Sequence, residues 1–145
     1  RVLYYKCKEK IHMGYRSEVV LYVGPEVMPQ FMVTMAKSPQ ARELCFADHD
    51  DMVKDYGDEK GSFLFKWGWL KWYDSYECVS ALTDFMDWCD SEFLPSGKKR
   101  EDGTEIENEA AEFYRFVRIG EDMSDVEERG WAYSCEIGVR RELDY

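Results

Sequence analysis

The sequence predicts a single α+β domain over residues 1–145, a mostly antiparallel sheet of about five strands with helices packed on one face. Three observations carry that expectation. From Ser62 to Tyr73, Phe63, Phe65, Trp67, Trp69 and Tyr73 share one parity while Leu64, Gly68, Leu70 and Trp72 share the other, as in a strand buried on both faces. Asp74 followed by Glu77 then reads as a capping box, and Val79, Leu82, Met86, Cys89 and Phe93 recur at helical spacing beside Phe85. Elsewhere, short alternating runs end at Gly or Pro, which is strand punctuation.

Taken in order, Val2 to Ile11 interleaves apolar residues with Lys6, Lys8 and Lys10, as a strand with one wet face does. Ser17 to Gly24 alternates Val19, Leu21 and Val23 against Glu18, Val20 and Tyr22, so a hairpin through Gly14 is expected. Gly24-Pro25 ends that strand. A helix beginning near Pro29 turns Phe31, Met32, Met35 and Ala36 inward, and Ser38-Pro39 interrupts and restarts it as a short helix to Phe46. The polar stretch from Ala47 to Gly61 reads as a solvated loop, with a helix cap at Asp50 or Asp51 and a turn at Gly57.

After the central strand and helix, residues 95–110 are expected to form a mobile surface connection, since Pro95, Gly97 and Gly103 punctuate it and it has little to bury. Glu112 to Ile119 is a strand. Ser124 and Glu127 form a second capping box before Gly130, which predicts a short helix there. Trp131 to Leu143 alternates cleanly and predicts a closing strand.

The formal net charge of -11 is unevenly placed. Between Asp74 and Arg129, seventeen acidic residues face six basic ones, so this segment holds the whole imbalance. That argues against nucleic acid and anionic membrane as partners. Five cysteines without a C-x-x-C pair are expected to be reduced thiols, mostly buried, as in a cytoplasmic protein. No apolar run reaches the ~18 residues of a membrane span, and no signal-peptide pattern is seen.

No catalytic residue is assigned. The histidines His12 and His49 lie in no nucleophile context, and the chain carries no P-loop, G-x-G-x-x-G or H-E-x-x-H pattern, so no cofactor or metal is implied. Asp48, His49, Asp50 and Asp51 define a metal-dependent hydrolase as one alternative, although their spacing matches no calcium loop. A second alternative is a small-molecule or nucleotide sponge, with Trp67, Trp69 and Tyr133 lining a pocket and Arg115, Arg118, Arg140 and Arg141 supplying cations.

The pairing of KWYDSYECVSALTDFM with FVRIGEDMSDVEERG resembles a pattern in small, acidic, uncharacterised bacteriophage accessory proteins. The resemblance covers roughly a quarter of the chain by length. It implies work in the host cytoplasm and carries over no functional residue. The leading expectation is a protein that binds and inhibits or redirects a basic host protein, with carboxylates standing in for nucleic-acid phosphates. Asp84, Asp87, Asp90, Glu121, Asp122, Asp125, Glu127 and Glu128 are the partner-binding candidates, expected to meet in one negative patch.

Overall fold

A computed structural model of the chain describes residues 14–122 and 124–139. The fold is α+β. A five-stranded antiparallel sheet has the order β2-β3-β1-β6-β7, formed by β1 (Ser17–Val23), β2 (Asp51–Lys54), β3 (Phe63–Leu70), β6 (Tyr114–Gly120) and β7 (Val126–Arg129). A separate hairpin joins β4 (Phe93–Lys99) to β5 (Glu105–Glu109). Three helices, α1 (Met28–Lys37), α2 (Pro39–Phe46) and α3 (Glu77–Ser91), supply the second layer.

The alternation in β1 explains the layering. Val19, Leu21 and Val23 point to the helices and are almost wholly buried, beside Phe65 and Trp67 of β3 and Tyr114 and Phe116 of β6. Phe31 of α1 ties the layers together, lying 5.8 Å from the ring of Phe65 and 5.3 Å from that of Phe85. From α3, Val79, Leu82, Phe85, Met86 and Cys89 are buried, which is the face the helical spacing assigned inward. On the outer side of the sheet, Tyr22, Leu64 and Val117 meet Ile137 and Tyr133 in a smaller cluster.

The break at Ser38 also forms as the sequence predicts: its hydroxyl accepts the Ala41 N–H at 3.2 Å, and Pro39 opens α2. In α1, however, Thr34 and Met35 are buried with Phe31, while Met32 and Ala36 face outward. The inner stripe is rotated by about one residue, or ~100° around the helix axis.

Several expectations are corrected. The Asp74–Glu77 capping box does not form, because residues 73–76 make a turn closed by the Tyr76 N–H and Tyr73 carbonyl, so α3 begins only at Glu77 with Tyr76 at its cap. Glu77 instead accepts a hydrogen bond from the Ser38 hydroxyl at 3.3 Å. Phe93 lies beyond the helix end and is 56% exposed in β4. The surface connection after it is a hairpin, turned where the Arg100 N–H meets the Thr104 carbonyl at 2.8 Å and with Lys99 opposite Glu105. The solvated loop contains the edge strand β2, paired with Phe63–Lys66, and carries no helix cap at Asp50 or Asp51; Gly57, at φ +63, does mark a turn.

The Ser124–Glu127 capping box is also unused, and residues 126–129 pair as β7 with Phe116–Ile119. The Ser124 N–H and hydroxyl both go to Asp122, while Arg118 pulls Glu127 alongside β6. Residues 131–139 are turns and no strand, with Tyr133 at φ +52 accepting from the Glu136 and Ile137 amides. Gly130 is needed for a different reason from helix capping. Its φ of +77 lets the chain leave β7 across the Tyr114 carbonyl, where any Cβ would collide. The predicted strand over Val2–Ile11, His12, and the end of the predicted closing strand at residues 140–143 lie outside the described residues.

One irregularity decides where the tryptophans go. In the β1–β3 ladder Ser17 faces Leu70 and Val19 faces Trp67, so Gly68 and Trp69 together oppose Glu18 alone. This is a β-bulge, and the extra residue shifts the parity. Trp67 and Leu70 therefore both join the helix-side core, while Trp69 is turned to the outer face and is 62% exposed. The strand predicted to be buried on both faces is thus buried on one, and on the other only as far as Leu64.

Candidate interaction surface

The eight acidic candidates are not one patch. β6 and β7 carry arginines between them, and these arginines take up most of the acids. On the outer face, Arg115 reaches Glu128 at 2.9 Å. At the far end of the same hairpin, Arg118 holds Asp125 at 2.7 Å and Glu127 at 3.1 Å. On the helix side, Arg129 of β7 bridges Asp87 at 2.8 Å and Asp90 at 2.7 Å. Register explains the division: Glu128 stands opposite Val117 of the outer cluster and Arg129 opposite Phe116 of the inner core, so the sheet separates Glu128 from Asp87 and Asp90. Asp84 lies apart, in a groove between α1 and α3 with Lys37 and Gln30, and Glu121 and Asp122 occupy the turn after β6.

The Arg118 pairings set local electrostatics. Its hydrogen bonds to Asp125, together with one from the Tyr15 hydroxyl, hold the Asp125 carboxyl below the usual carboxylate range. A carboxyl whose folded pKa is lowered contributes stability above its unfolded value of about 3.9, and that contribution is lost as pH falls through the folded value. Asp125→Asn is therefore expected to cost about 1 kcal/mol at neutral pH and to flatten the fall in stability below about pH 4, as read by urea melts across that range.

One end of the molecule combines carboxylates with exposed aromatic rings. Asp87 and Asp90 share a single guanidinium there, and Asp90 also accepts the buried Tyr114 hydroxyl at 2.7 Å. Burial and that carboxylate raise the Tyr114 pKa, so the phenol remains a proton donor. Just beyond, the Glu92 carbonyl accepts the Ala110 N–H and the Ala111 carbonyl accepts the Trp131 N–H, each at 2.9 Å. This backbone seam anchors Phe93 and Trp131, both 56% exposed, beside the exposed acids Glu92 and Glu112. Sequence reasoning assigned both rings to the core. A signal for Phe93 was present in Pro95, which disfavours helix at the preceding residue; Trp131 had none, since its run alternates as a strand would.

The other candidate chemistries are dispersed. The His49 Nδ1 lies 2.8 Å from the Cys45 carbonyl, and the Asp50 carboxylate accepts the Gly68 N–H. Among the described residues, no group of three or more His, Cys, Asp or Glu side chains is placed to hold a metal ion. The sponge pocket loses its parts as well: Trp67 is buried and donates its indole N–H to the Leu44 carbonyl at 3.1 Å, and Arg115 and Arg118 are committed to carboxylates. Arg140 and Arg141 lie outside the described residues.

Cys45 and Cys89 are buried, Cys78 is half-buried and Cys135 is exposed, all as free thiols. Burial pushes the Cys89 thiol up to about 12, far from a reactive thiolate. No helix among the described residues is long and apolar enough to cross a membrane. Compared with known proteins, the chain matches no family model, no curated protein and no solved structure.

Proposed function

We propose that this chain is a binding protein for a basic protein surface, which it contacts at the C-terminal end of α3 and the base of the β4–β5 hairpin. The observation that carries the reading is the pair of exposed aromatics, Phe93 and Trp131, on one backbone seam flanked in the chain by the exposed acids Glu92 and Glu112. Large rings in the centre with charges around them are the usual composition of an energetic interface, and rings beside carboxylates suit the lysine and arginine side chains of a partner. The net charge of -11 steers such a partner and makes its association salt-sensitive. The resemblance to phage accessory proteins supports a host protein as that partner, inhibited or redirected in the host cytoplasm.

Affinity purification from the native cell, followed by titration of the captured partner, tests this. Phe93→Ala with Trp131→Ala is expected to weaken binding by at least about thirtyfold, in line with the ~2 kcal/mol of an interface hot spot. Reversing Glu92 and Glu112 to Lys should flatten the salt dependence. An unchanged affinity in the aromatic double variant removes this surface from consideration.

A further inference from the structure

The bulge in β3 creates a second feature, on the opposite side of the sheet. Trp69 stands on the outer face next to a hollow of about 140 Å³ whose lining includes Glu18, Ile119 and Glu121. A second hollow, of about 230 Å³, adjoins it through Glu18 and Gly68 and adds Asp50, Asp51 and Lys66. The position of the indole is built into the strand. The Gly68 N–H is taken by the Asp50 carboxylate, and the Asp50 N–H is bonded to the Lys66 carbonyl at 2.9 Å, so the edge of β3 is pinned where it enters the bulge. At Gly68 a Cβ would stand 3.0 Å from that carboxylate, so a side chain would push against the residue that pins the bulge.

Bulges characteristically re-aim one side chain, and this one turns a tryptophan that strand parity would bury out into solvent. The charges are unequal: Glu18 and Glu121 against Arg16 in the hollow beside the indole, and Glu18, Asp50 and Asp51 against Lys66 in the adjoining one. An exposed indole face with carboxylates at its margin attracts a cation through the ring quadrupole and through charge together. Each hollow is smaller than the roughly 300 Å³ of pockets that enclose a whole cofactor-sized ligand. One long side chain fits instead.

The geometry points to a cation-accepting site at Trp69 whose occupant is an arginine side chain of a partner protein, laid across the indole and paired with Glu18 and Glu121. A planar guanidinium suits it better than an ammonium, because it stacks on the ring while its edge donates to the carboxylates. The site shares no residue with the Phe93 and Trp131 surface, and the test below uses a small probe, so failure of one leaves the other standing.

The probe is the capped tripeptide acetyl-Gly-Arg-Gly-amide, titrated into the ¹⁵N-labelled protein, with its citrulline counterpart as a neutral control of the same shape. The expected result is a saturable shift of the Trp69 indole N–H at millimolar arginine peptide, several-fold weaker with citrulline and weakened by added salt. Trp69→Ala should abolish the response of the neighbouring Glu18 and Ile119 amides. Glu18→Gln with Glu121→Gln, both exposed and outside every ion pair among the described residues, should lower the affinity about fivefold or more. An unmoved Trp69 indole, an equal response to citrulline, or undiminished binding by the glutamine double variant overturns the assignment.

Discussion

Trp67→Ala is expected to lower the unfolding free energy by about 4 kcal/mol, whereas Trp69→Ala, two residues along the same strand, should change it by no more than about 0.5 kcal/mol. Trp67 is 2% exposed, stacks on Phe65 with centroids 5.8 Å apart, and gives its indole N–H to the Leu44 carbonyl. Truncation opens a cavity between the sheet and α2 and leaves that carbonyl without its donor. Trp69 has neither the burial nor any indole hydrogen bond within the described residues. Urea denaturation of the two variants measures the difference. Equal losses would mean that the bulge opposite Glu18 does not exist in solution, because an unbulged strand would place both indoles on the helix side.

The second large effect concerns the segment after β7. Arg115→Ala should cost about 3 kcal/mol, the expected size for losing a mostly buried, multiply bonded guanidinium. Arg115 is 7% exposed and donates to the Ile137 carbonyl at 2.9 Å, the Gly130 carbonyl at 3.0 Å and the Glu128 carboxylate at 2.9 Å. It fastens residues 130–137 over the outer face of the sheet, where Tyr133 meets the rings of Tyr22 and Tyr56 edge-on. Hydrogen exchange in Arg115→Ala should therefore speed up first at the amides of Glu136 and Ile137, ahead of those in β1 and β6. Uniform acceleration across the sheet would show that Arg115 serves the whole fold and holds no particular segment.

Both predictions bear on what could be read from the chain alone. β1, β3 and β6 were legible because each is long enough for its alternation to repeat, and α3 because its buried residues, Val79 to Cys89, recur over nearly three turns. The short strands were not. β2 has four residues with charges at both ends, and β7 reads Val-Glu-Glu-Arg behind a capping motif that locally favours helix. What overrides that motif lies outside its four-residue window, on the preceding strand: Arg115, Arg118 and the open edge of β6. The β4–β5 hairpin escaped for a related reason. It packs only lightly on the core, so neither of its faces shows a hydrophobic pattern.

The interaction surface divides along the same line. Charge was fully readable, and the excess between Asp74 and Arg129 remains the basis for expecting a basic partner. Which carboxylates are available was not readable, since Asp87, Asp90, Asp125, Glu127 and Glu128 are each met by an arginine brought close by strand pairing.

By itself, then, the sequence determined the α+β class, the inner face of α3, and the sign of the surface, because all three depend on residue types at local spacing. Only the tertiary structure decided which acids are neutralised, that Phe93 and Trp131 stand outside the core, and that Trp69 is turned away from Trp67. Those outcomes depend on register, and a single extra residue in one strand exchanges the two faces of everything beyond it.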